Sequence, residues 1–88
     1  MTWTIEYTKT AATQLRKLDR QAARRILDYL DDKISPLENP RTRGKALSGP
    51  LGELWRYRVG DYRVLCEIRD NYMRILVIEA DHRRQVYK

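Results

Sequence analysis

The stretch "LWRYRVGDYRVL" (residues 54–65) decides the fold. Apolar and polar residues alternate on both sides of Gly60-Asp61, the period of a strand with one buried face. Glycine and aspartate both tolerate the positive φ that a two-residue hairpin turn needs. With that turn, Val59 faces Tyr62, Arg58 faces Arg63, Tyr57 faces Val64 and Trp55 faces Cys66. Cross-strand partners share a face. One face then carries Trp55, Tyr57, Val59, Tyr62, Val64, Cys66 and Ile68, and helices are expected to pack there. The other carries Arg56, Arg58, Arg63, Leu65 and Glu67.

Downstream, "YMRILVIEA" (72–80) follows Asp70-Asn71, which has the composition of a second two-residue turn. That turn pairs Ile68 with Met73, Cys66 with Ile75 and Val64 with Val77. Arg74, Leu76, Ile78 and Ala80 then join the arginine face, where Glu67 lies opposite Arg74 and can neutralise it. Alternation continued past Ala80 brings His82 to the same face. The tail "DHRRQVYK" (81–88) adds Arg83, Arg84 and Tyr87.

Upstream, "TWTIEYT" (2–8) alternates and is rich in β-branched and aromatic residues, as a strand would be. Thr8 can cap the helix "KTAATQLRKL" (9–18), in which Ala11, Leu15 and Leu18 recur at helical spacing. Asp19 can cap a second helix, "RQAARRILDYLDDKI" (20–34), with Ala22, Ile26, Tyr29, Leu30 and Lys33 on one face. Pro36 ends it, because the residue before proline avoids the α region. The order is β-α-α-β-β-β, an α+β arrangement with antiparallel pairing through the last three strands.

The chain has 88 residues, enough for one domain spanning 1–88. No apolar run is long enough to span a bilayer, and "MTWTIEYTKT" lacks the basic start and apolar stretch of a signal peptide. The cytoplasm is the expected compartment, with no membrane partner. Cys66 is the only cysteine and His82 the only histidine, so no internal disulfide, zinc-ligand spacing or cofactor is suggested.

The net charge of +6 points to a polyanionic partner, nucleic acid first and an anionic membrane surface second. Seven of the nine basic residues in 45–88 are arginine, the side chain suited to bidentate phosphate contacts. Residues 35–53, "SPLENPRTRGKALSGPLGE", form a long connection containing Arg41, Arg43 and Lys45, further candidates for RNA contact. Like charges opposed across a hairpin destabilise the sheet, and a bound phosphate would relieve the Arg58–Arg63 pair. His82 alone has an ordinary pKa near neutrality, which makes it a candidate proton donor or acceptor. Tyr87 can stack on a base.

"ALSGPLGELWRYRVGDYRVLCEI" (46–68) with "ADHRRQVYK" (80–88), after a strand and a helical hairpin, resembles the RelE toxins of the RelE/ParE superfamily. The resemblance covers essentially the whole chain. It implies a twisted antiparallel sheet with two helices on one face. It also implies a small basic ribonuclease of a type II toxin–antitoxin system, which enters the ribosomal A site, cleaves mRNA there and is held inactive by a RelB-like antitoxin. Operator DNA would be met only through the antitoxin complex. The family's basic strand positions fall on Arg56 and Arg58, its arginine after the hairpin turn on Arg63, its late basic residue on Arg83 and its near-terminal tyrosine on Tyr87.

The expected catalytic set is Arg58, Arg63, His82, Arg83 and Tyr87. RNA binding is expected from Arg56, Arg41, Arg43, Lys45 and Arg84. Two departures stand out: Arg56 and Arg58 where well-known members have lysine, and Asp81 where relatives often have glycine. Arginine effectively never deprotonates, so Arg58 is a poor general base. Two other functions fit the same residues, a ParE-like inhibitor of DNA gyrase and a non-catalytic nucleic-acid-binding module.

Overall fold

Pairing begins at the hairpin. The computed structural model describes residues 2–47 and 54–82. Strand β3 (Trp55–Val59) and strand β4 (Tyr62–Arg69) pair antiparallel, with Trp55 opposite Cys66, Tyr57 opposite Val64, Arg58 opposite Arg63 and Val59 opposite Tyr62. Gly60 takes φ +59° while Asp61 keeps a negative φ, the pattern of a type II′ turn.

Strand β5 (Arg74–His82) pairs antiparallel with β4, but not in the expected register. Residues 70–72 form a 3₁₀ turn and Met73 follows in the left-handed region at φ 50°, so the connection is longer than two residues. Ile68 therefore meets Ile75 and Cys66 meets Val77. A shift of two leaves the faces unchanged. A second departure changes them. Ile78 is an extra residue, a β-bulge between the Cys66–Val77 and Leu65–Glu79 pairs. Beyond it every side chain of β5 is inverted relative to simple alternation. Ala80 faces Val64 in the core, Asp81 faces Arg63 and His82 faces Tyr62.

Strand β1 (Thr4–Tyr7) lies on the far side of β5 and runs parallel to it, so the sheet is mixed rather than wholly antiparallel. A short strand β2 (Lys45–Ala46), not anticipated from the sequence, pairs antiparallel with β3. The strand order is β1-β5-β4-β3-β2.

Helix α1 (Lys9–Lys17) starts at Thr8, whose hydroxyl accepts the Ala11 N–H at 3.1 Å. Helix α2 (Arg20–Tyr29) starts after Asp19, whose side chain makes no capping bond. A π-turn over Leu30–Ile34 ends it, and the Ser35 N–H donates to the Leu30 carbonyl at 2.8 Å. Leu30 and Ile34 are buried through this turn while Lys33 is exposed, which corrects its expected place on the apolar face.

The core lies between the helices and one sheet face. Ile26, Leu30, Ile34, Tyr57, Val64, Cys66, Ile75, Val77 and Ala80 are all fully buried there. Among the described residues no helix is long and apolar enough to cross a membrane.

Candidate functional site: the outer face of the sheet

The sheet face turned away from the helices is ordered in rows, because paired residues project to the same side. Nearest the hairpin turn, Arg58, Arg63 and Asp81 form one row across β3, β4 and β5. The next runs Lys45, Arg56, Leu65 and Glu79 across four strands. Past the bulge come Glu6, Leu76 and Glu67, and then Thr4, Arg74 and Arg69.

The far rows neutralise each other. The Arg69 Nε lies 2.7 Å from a Glu67 carboxylate oxygen, and an Arg74 Nη lies 3.6 Å from Glu6. Glu67 thus serves Arg69 and not Arg74, a consequence of the shifted register. Cationic excess is left at the hairpin end, where the register sets Lys45, Arg56, Arg58 and Arg63 in the same rows as Glu79 and Asp81. Arg58 is exposed and Arg56 half-buried, whereas Arg63 is only 8% exposed. The accessible cation and the buried one are direct neighbours.

The 37–47 connection is tied down rather than free. The Tyr57 hydroxyl donates to the Pro40 carbonyl at 2.7 Å in the interior, and burial raises the phenol far above its ordinary pKa. Trp55 Nε1 donates to the Arg43 carbonyl at 2.6 Å. Gly44, at φ +79°, sits so close to β3 that a Cβ would strike the Arg56 carbonyl oxygen. These contacts seat Lys45 opposite Arg56. Arg41 is committed elsewhere. Its two Nη atoms bond both Asp70 oxygens at 2.8 and 2.9 Å, which holds the Asp70 carboxyl below its usual range. Arg43 is exposed.

His82 does not join this face. The bulge turns it toward the helices, where its ring meets Tyr62 edge-on with centroids 5.6 Å apart. It lines a hollow with Gln14, Lys17, Leu18, Tyr62 and Asp81. In its place the bulge delivers Asp81 and Glu79, carboxylates that strict alternation assigns to the opposite side. The expected convergence of Arg56, Arg58 and Arg63 is observed; that of His82 with them is not. Cys66 is buried and burial pushes its thiol far up, so it is no nucleophile. Among the described residues no His/Cys/Asp/Glu group suits a metal ion. The expected roles of Arg83, Arg84 and Tyr87 fall outside the described residues.

A helical hairpin on one face of a β1-β5-β4-β3-β2 sheet is a RelE-like fold. The toxin–antitoxin complex RelBE2 of Mycobacterium tuberculosis contains a chain of this shape, with a TM-score of 0.86 and 28% identity over 94% of this chain and 93% of that one. The archaeal RelE–RelB complex of Pyrococcus horikoshii gives 0.67 and 28%, over 94% and 97% respectively. Residues 5–87 match the family described as ParE toxin of type II toxin–antitoxin system, parDE, and the chain belongs to that family, within the RelE/ParE superfamily. Among curated proteins it is 32% identical to Toxin RelE of M. tuberculosis, over 96% of this chain and 84% of that protein. It is 28% identical to Toxin RelG of the same organism, over 100% and 99%.

Proposed function

We propose that this toxin is an mRNA endoribonuclease acting in the ribosomal A site, in the cytoplasm. The observation that carries the reading is the opposed Arg58–Arg63 pair, flanked by Arg56 and Lys45 on one sheet face. Relatives named RelE and RelG along nearly the whole chain lend it support. In this reaction the ribose 2′-oxygen bonds to the adjacent phosphorus and the bond from phosphorus to the 5′-oxygen breaks. The proton lost by the 2′-OH is balanced by one gained at the departing 5′-oxygen, giving a 2′,3′-cyclic phosphate and a 5′-OH. Nucleophile and electrophile belong to one strand, so the chemistry depends mostly on alignment and on stabilising charge.

Arg58 and Arg63 would hold the non-bridging oxygens as negative charge builds, with Arg56 and Lys45 on the flanking backbone. Arg83 would assist the leaving oxygen and Tyr87 would hold a splayed base, at the two positions the family resemblance assigns, and Arg84 would bind backbone. Arg43 lies at the margin of this surface. Arginine cannot serve as general base, and His82 faces the helices, so alignment of the 2′-OH is left to the ribosome. A RelB-like antitoxin would inhibit by covering the arginine face with acidic groups. The M. tuberculosis and P. horikoshii complexes favour such a partner.

A ParE-like gyrase inhibitor is the second reading. The family description and the absence of His82 from the arginine face both favour it. The test is direct. Purified toxin is added to ribosomes programmed with a defined mRNA and, separately, to a gyrase supercoiling reaction. The endoribonuclease reading expects A-site cleavage that requires ribosomes, with supercoiling unaffected. Intact mRNA with supercoiling lost reverses the assignment.

A further inference from the structure

We infer that Arg25 of helix α2 is a further RNA-backbone contact, seated on the Gly60 turn so that the arginine surface continues round the tip of the β3–β4 hairpin. The inference rests on the proposed reading of the outer sheet face as a phosphate site. A Cβ at Gly60 would lie 3.1 Å from an Arg25 Nη and 3.6 Å from its Cζ, so the guanidinium packs directly on the turn. Arg58 is two residues back along β3 from that glycine, about 6.6 Å at the rise of a strand. The two cations come from opposite layers of the fold and meet at one end of it, within reach of neighbouring phosphates of one RNA strand.

The neighbours of Arg25 on the helix put it there. Ala22 and Ile26 are buried, and Tyr29 sets its ring near that of Tyr57 on β3, with centroids 6.4 Å apart. That packing lays α2 against β3. Arg25 lies four residues before Tyr29, on the same side of the helix, and reaches past the end of the strand to the turn. Gly60 meets two demands at once. Its φ of +59° favours glycine, and a side chain there would press on the guanidinium.

Charge determines the consequence. Arg24, Arg41, Arg69 and Arg74 each meet a carboxylate, those of Asp28, Asp70, Glu67 and Glu6 in turn. Arg25 is exposed and makes no ion pair or hydrogen bond among the described residues, a condition it shares with Arg58. The acids nearest in sequence and at the turn do not neutralise it: Asp28 is with Arg24, and Asp61 is exposed and forms no ion pair with it. The Arg25 N–H groups are thus available to an outside acceptor. Beside Arg58, a phosphodiester is the acceptor that suits both guanidinium groups.

The experiment uses the full chain and an uncleavable 2′-O-methyl RNA oligonucleotide, with binding read by fluorescence anisotropy across a salt series. Arg25→Gln should bind roughly three- to tenfold more weakly at low salt. The slope of log affinity against log salt should become shallower by about 0.7, the loss of one phosphate contact, which a purely structural role would not produce. Arg25→Lys keeps the charge and should keep the wild-type slope. On programmed ribosomes, Arg25→Gln should raise the toxin concentration for half-maximal cleavage and leave the single-turnover rate at saturation unchanged. Wild-type affinity and slope in Arg25→Gln overturn the inference, as does a lysine variant whose slope matches the glutamine variant. Arg58→Ala separates this from the underlying reading: weaker binding there keeps the phosphate site whatever Arg25 does. If Arg58→Ala binds as wild type, the site and its extension to Arg25 fall together.

Discussion

His82 stands opposite Tyr62, its ring edge-on at 5.6 Å, on the helix side of the sheet and away from Arg58 and Arg63. A general acid or base normally contributes about 10²–10⁴ in rate. His82→Gln should lose none of that, and cleavage on programmed ribosomes should stay within about threefold of wild type. A fall of the larger size in single-turnover cleavage at saturating toxin would return the imidazole to the chemistry.

Arg58 and Arg63 should separate in their effects on stability. Arg58 is exposed and Arg63 is buried. Arg58→Ala should slow cleavage by roughly 10²–10³, the cost of one donor to developing charge, with stability within about 0.5 kcal/mol of wild type. Arg63→Ala should slow cleavage comparably and also lower the urea midpoint, because its guanidinium packs in the sheet. Equal stability losses in the two variants would contradict this division.

Tyr57→Phe probes the anchoring of the 37–47 connection. It removes the buried donor to the Pro40 carbonyl and leaves that oxygen unsatisfied. The expected loss is about 1–3 kcal/mol in chemical denaturation. Hydrogen exchange should quicken at the amides of Lys45 and Ala46, since the same segment carries β2.

Gly44→Ala should be worse for its size than any other small substitution in that connection. The position needs φ +79°, and the new methyl would meet the Arg56 carbonyl. Destabilisation above about 1 kcal/mol is expected. RNA affinity should drop as well, because Lys45 leaves the arginine face.

The Arg41–Asp70 pair gives a small acid-side dependence. The guanidinium lowers the Asp70 pKa, so the pair stabilises the fold above the ordinary carboxylate value near pH 4 and fades as pH drops through the lowered one. Both side chains are substantially exposed, so Asp70→Asn should cost less than about 1 kcal/mol at neutral pH. That difference should shrink progressively in denaturation curves taken as the pH is lowered below about 4.

The sequence by itself determined the β3–β4 hairpin, its register and the convergence of Arg56, Arg58 and Arg63. Those features depend on a two-residue turn and a period of two, both local. It also marked the α1 cap at Thr8 and most of the buried faces of both helices, again from neighbours within a turn or two. The tertiary structure decided the rest. The parallel seat of β1 beside β5 joins residues some 70 positions apart, and no local pattern announces it. The β4–β5 turn took extra residues where Asp70 meets Arg41, a contact across 29 positions. The bulge at Ile78 was invisible for the same reason. It is held by Thr8, the cap of the first helix, and by Gln14 within that helix, through bonds spanning 70 and 66 residues. One inserted residue exchanges the two faces of a strand, and so packing with α1, not the alternation of β5, put Asp81 beside Arg63 and sent His82 to the other side.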